Sequence, residues 1–105
     1  MDNIEIAKGD YGYNIDLTVK TKTNVVYDLT TYTAVHLKMW APEEPTTLLI
    51  DKACVVDEPL DGTCHYVIAL GDFDTPGAYY AELELTKSGA KESTAPFTIV
   101  VIDSK

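Results

Sequence analysis

Arginine is absent from this chain, and its eight lysines stand against seventeen Asp and Glu residues, a formal net charge of −9. Nucleic-acid affinity comes largely from phosphates neutralised by clustered Lys and Arg, and bidentate base contacts need guanidinium forks. Neither is available here, so nucleic acid is not an expected partner, and an anionic membrane surface is disfavoured for the same reason. The acidity itself keeps a strand-rich surface soluble and discourages edge-to-edge association. No apolar run is long enough to span a bilayer, so no membrane insertion is expected. The opening Met1-Asp2-Asn3-Ile4-Glu5 has neither the basic start nor the apolar stretch of a signal peptide.

Cysteine is scarce. Cys54 and Cys64 flank the turn segment 57–62 symmetrically about Pro59. A disulfide between them requires a compatible cross-strand position; without an export signal, two reduced thiols serving as small core residues are expected instead. A zinc site would need more ligands than this pair and two separated histidines offer. Glycine-rich phosphate loops and a Gly-x-Ser-x-Gly nucleophile elbow are missing too. No cofactor is expected.

Strong helix formers never gather into an amphipathic run. Val, Ile, Thr and Tyr recur instead, types that suit a pleated, half-buried surface. At 105 residues the chain has room for one core, and residues 1–105 are expected to form one domain. Period-two alternation recurs along it. Ile4 and Ile6 open a short strand that ends at Gly9-Asp10. Ile15, Leu17 and Val19 share one face of a second strand; Lys22-Thr23-Asn24 is turn-like, and Val25-Val26-Tyr27 reads as another short strand. Val35, Leu37 and Met39 oppose His36, Lys38 and Trp40, and the prolines at 42 and 45 end that pattern. Residues 47–50 and 52–56 read as two strands, or as one with a bulge near Asp51.

After the turn at Pro59 and Gly62, Cys64, Tyr66, Ile68 and Leu70 share a face. Tyr79, Ala81, Leu83 and Leu85 point inward against Tyr80, Glu82, Glu84 and Thr86. Lys87-Ser88-Gly89-Ala90 is a hairpin turn, and the last strand, through Phe97, Ile99 and Val101, is interrupted by Pro96. Seven or eight strands with regularly spaced turn signals predict an all-β sandwich or barrel.

Chemistry is thinly represented. His36 and His65 fall on polar faces with no partner visible in sequence, and read as solvated strand histidines. Asp72 and Asp74 flank Phe73, but calcium needs six to eight oxygen ligands; Phe73 reads as a plug over one end of the core. Glu82 and Glu84 share one strand face, whereas a glycosidase pair must flank a cleft. Aromatics are the better binding candidates. Tyr11 and Tyr13 flank Gly12, while Trp40 and Tyr80 occupy polar-face positions. Such residues either anchor an interface or stack on a sugar, or else bury against a second sheet or a loop.

The order of features is that of a known family. Ile4-Glu5-Ile6-Ala7-Lys8-Gly9-Asp10 opens the run, followed by Asp28-Leu29-Thr30 and a strand ending at Trp40. Asp61-Gly62-Thr63-Cys64-His65-Tyr66-Val67 leads on to Pro76-Gly77-Ala78-Tyr79-Tyr80-Ala81-Glu82-Leu83-Glu84-Leu85-Thr86, and Phe97-Thr98-Ile99-Val100-Val101 closes it. Over nearly its whole length the chain resembles the N-terminal domain of phage baseplate upper proteins. The resemblance implies an immunoglobulin-like antiparallel β-sandwich, no catalytic residues, and a virion location after synthesis in the host cytoplasm. It also implies virion proteins of tail, baseplate or capsid as partners, with homo-oligomers as a further possibility. In larger relatives a coiled coil and a receptor-binding region for host attachment follow, whereas this chain stops at Lys105, as a free-standing component or an excised domain would. The alternative function is a carbohydrate- or cell-surface-binding module built around Trp40.

Overall fold

The structure, a computed structural model, describes residues 3–21, 23 and 25–103. The turn expected at Lys22 and Asn24 lies outside them, as do Met1, Asp2, Ser104 and Lys105. Nine strands occur among the described residues: β1 (Asn3–Ala7), β2 (Asn14–Thr18), β3 (Ala34–Trp40), β4 (Leu48–Ala53), β5 (Val55–Glu58), β6 (Thr63–Val67), β7 (Gly77–Lys87), β8 (Ala90–Ser93) and β9 (Phe97–Ile102). They make two sheets packed as a sandwich. The larger runs β1-β9-β7-β3-β4, with β8 beside β7, and the smaller runs β2-β6-β5. All pairings are antiparallel except β1 with β9.

Alternation dictates the core. On β3, Val35, Leu37 and Met39 are buried and meet Leu85, Leu83 and Ala81 of β7 in register. Large faces small at Met39 and Ala81, which lets the rows interdigitate. Ile6, Ile99 and Val101 extend this face, and Ile15, Cys64, Tyr66 and Ile68 supply the opposing one. Phe73 is 1% exposed, and its carbonyl accepts the Gly9 amide, so the plug also anchors the end of β1.

Four expectations change. The break after β4 falls at Cys54 rather than near Asp51. There the Cys54 amide still bonds the Val35 carbonyl of the larger sheet, while Val55 already pairs with His65 of the smaller one. The interruption is thus a change of sheet, and the bulge lies earlier, opposite Met39 and Trp40. Val25-Val26-Tyr27 contributes only an isolated bridge, Lys20 to Val26. Leu70 leaves the face of Cys64, Tyr66 and Ile68 and lies exposed, because the chain turns where the Asp72 amide bonds the Ala69 carbonyl. The final hairpin arm is two strands, β8 and β9. Across their gap before Pro96, Thr94 bonds Leu83 twice: its amide donates to the Leu83 carbonyl and its hydroxyl accepts the Leu83 amide. A side chain thus replaces a missing ladder bond.

Both cysteines are free thiols, Cys64 buried and Cys54 partly so. The neighbouring Cys64 thiol, together with burial, pushes the Cys54 thiol well above the ordinary range. Cys54 therefore keeps its proton, and Cys64, whose thiol the hydrogen bond with Cys54 holds below the ordinary range, is 1% exposed and closed off from any substrate.

Candidate interaction face

Trp40 and Tyr80 are neighbours. Burial of Met39 and Ala81 forces the next residues of β3 and β7 outward, and the register sets Trp40 directly opposite Tyr80. Their ring centroids lie 6.3 Å apart at 53°. Leu48 pairs with Trp40 from β4, and Thr98 pairs with Tyr80 from β9. The row Leu48–Trp40–Tyr80–Thr98 therefore crosses four strands on the outer face. Leu48 and Tyr80 are 41% and 47% exposed, so no second layer covers them.

To one side the face turns polar. Lys38 donates to Glu84 at 2.7 Å, an ion pair only about one-fifth exposed on either side. The hydrogen bond raises the Lys38 pKa and lowers that of Glu84. His36 lies 3.2 Å from Asp51. To the other side Ala78 pairs with Val100, continuing an apolar strip. The outer edge of β4 forms no ladder among the described residues, since β4 pairs with β3 alone.

Tyr11 and Tyr13 go elsewhere. The Gly12 amide donates to the Ile68 carbonyl, and the Ile68 amide donates to the Tyr13 carbonyl. Both rings thereby follow the chain beyond β6, on the smaller-sheet side. Tyr13 donates to Asp10 at 2.9 Å, and burial foremost, then Asp10, raises its pKa. Of the four aromatics singled out, the fold brings two together.

Asp72 holds a loop together. Its carboxylate accepts the Tyr66 hydroxyl and the Ala69 amide on one oxygen and the Lys52 ammonium on the other. The Asp-Phe-Asp sequence shows the loop, but nothing in it reveals the buried phenol six residues earlier. Among the described residues no three His, Cys, Asp or Glu side chains converge on a point. His65 does find a carboxylate, with Nδ1 2.8 Å from Asp57. The adjacent Cys64 faces the core on the opposite side, so its thiol does not join that pair.

Burial foremost, then its bond to Asp72, pushes the Tyr66 phenol above its ordinary value. In the unfolded chain the phenol ionises near pH 10. Stability from this group is complete below that pH and is lost as pH rises towards the higher folded value. Tyr66→Phe is expected to cost about 1 kcal/mol at pH 7, where Asp72 loses a donor. It also flattens the decline in stability above about pH 10. Urea unfolding at both pH values checks it; a variant that retains the full alkaline decline contradicts it.

A family model for the BppU N-terminal domain matches residues 1–105, the entire chain. No curated protein matches it.

Proposed function

Because the chain belongs to the BppU N-terminal domain family, a phage baseplate structural domain, we propose that it is a non-catalytic assembly module. It docks on another virion protein through the Trp40–Tyr80 row and the adjoining β4 edge. The observation that carries this reading is the aromatic pair, Tyr80 exposed and Trp40 half-buried, next to an open sheet edge. Large aromatics supply most binding energy at interfaces, and an open edge can accept a strand from a partner. Tyr11 and Tyr13 form a second, separate candidate contact.

The immunoglobulin-like reading draws on strand order. The runs β9-β7-β3 and β2-β6-β5 correspond to the two sheets of that fold, G-F-C facing B-E-D. Residues 1–105 are read as one such domain. The non-catalytic reading rests on the family. Nucleic acid has no place in the reading, because the chain has no arginine, eight scattered lysines and a net charge of −9.

Baseplate, tail and capsid remain the classes of partner, and copies related by particle symmetry follow from an assembly role. Cross-linking of purified particles tests the proposal through Lys52, an exposed amine on β4. Amine-reactive cross-links from Lys52 to a second virion protein are expected. Particles that contain the chain but yield no such links contradict docking through this edge.

A further inference from the structure

We propose that the Trp40–Tyr80 row receives a cationic side chain of its partner, an arginine or lysine beside an apolar residue, with Glu82 as the counter-ion. This rests on the row being the docking face and goes further by naming what the partner presents. The first observation is an electrostatic mismatch. The register places Lys38 directly opposite Glu82, yet its ammonium is given to Glu84 on the diagonal. Glu82 makes no side-chain hydrogen bond or ion pair among the described residues. Along this part of the outer face Lys38 acts on three carboxylates, Asp51, Glu82 and Glu84, and the second lysine nearby, Lys91, acts on Glu84.

The second observation is position. Glu82 follows Tyr80 by two residues on β7, so both project from the same face in adjacent rows, about 7 Å apart along the strand. A group lying on the rings is therefore within reach of the carboxylate. The third is ring geometry. At 6.3 Å and 53°, Trp40 and Tyr80 are tilted rather than stacked flat. A cation placed within about 6 Å of either centroid is attracted by the ring quadrupole. The guanidinium group is the best fit, because it stacks on an aromatic face and bonds a carboxylate with the same plane. Leu48, in the same row, gives the neighbouring apolar residue a surface.

Charge complementarity selects this occupant over a neutral one. The chain carries −9 overall and has no arginine of its own, so its field draws cations towards the row. A sugar would stack on the rings and donate hydroxyls to Glu82, but it would leave the carboxylate's charge uncompensated.

Trp40 is the only tryptophan in the chain, so its fluorescence reports this face. The probes are acetyl-Gly-Arg-Leu-Gly-amide, the same peptide with Gln for Arg, and a hexamer of N-acetylglucosamine. The Arg peptide is expected to perturb Trp40 emission, and Glu82→Gln to weaken it about three- to five-fold, the size of one exposed ion pair. Raising the salt weakens binding in the wild type more than in the variant. A thermal melt of the variant shows whether its fold is kept. Equal binding of the Gln peptide, or no effect of Glu82→Gln, overturns the cationic partner. A response to the hexasaccharide alone overturns it in favour of a glycan platform. Failure of the assembly reading shows separately, as Trp40→Ala protein that still enters particles.

Discussion

Phe73→Ala is expected to cost the fold about 3–5 kcal/mol, the range for truncating a fully buried phenylalanine. Phe73 is 1% exposed and sits in a loop, where no ladder of its own holds the backbone. Its ring keeps that loop against the core, and its carbonyl ties down Gly9 at 2.9 Å. Two segments therefore loosen together. A small domain has only about 5–15 kcal/mol in total, so the variant lies near its unfolding threshold. Urea unfolding checks this: the midpoint falls steeply while the slope stays unchanged. A loss below about 1 kcal/mol would show that the ring is not a core residue.

Gly62→Ala is expected to be the most damaging single methyl group. Gly62 has φ 68°, and left-handed geometry alone costs an L-residue about 1–2 kcal/mol. The space is also taken. A Cβ there would lie 2.7 Å from the Tyr27 carbonyl oxygen and 3.0 Å from that of Val19. These are backbone atoms that cannot swing aside, and Val19 is further tied by its amide to the Gly62 carbonyl. Gly89 provides the control, with φ 77° but nothing within 4 Å. Thermal melts should therefore show Gly89→Ala mildly destabilised and Gly62→Ala far more so. Equal losses would mean that backbone conformation, not the crossing segment, sets the cost.

Much of this was legible in the residues. Alternation of Val35, Leu37 and Met39, and of Ala81, Leu83 and Leu85, identified the core faces because period-two burial leaves a direct imprint. Phe73 stood out as an apolar residue between two aspartates. The outward setting of Trp40 and Tyr80 followed from the same alternation.

What alternation cannot carry is register and long-range pairing. Trp40 meets Tyr80 across forty positions of sequence, a contact set by β3–β7 alignment. Tyr11 and Tyr13, exposed like Tyr80, are drawn to Ile68 by backbone bonds that no side-chain pattern encodes. The change of sheet at Cys54 was hidden because an outward Asp51 and a sheet crossing both look like broken periodicity. Tyr66 and Asp72 show the same limit: a buried phenol needs an acceptor, but the sequence does not say which.

The central claim is that the Trp40–Tyr80 row holds this domain in a particle. Its most direct test is to assemble particles with the Trp40→Ala, Tyr80→Ala double variant and measure how much of the chain remains after purification. Both side chains lie on the outer face, Tyr80 exposed and Trp40 half-buried, so a thermal melt first establishes that the variant is folded. Loss of two aromatic anchors, each worth about 2 kcal/mol or more at an interface, should strip it from the particles. A folded double variant retained at the wild-type copy number would contradict the account.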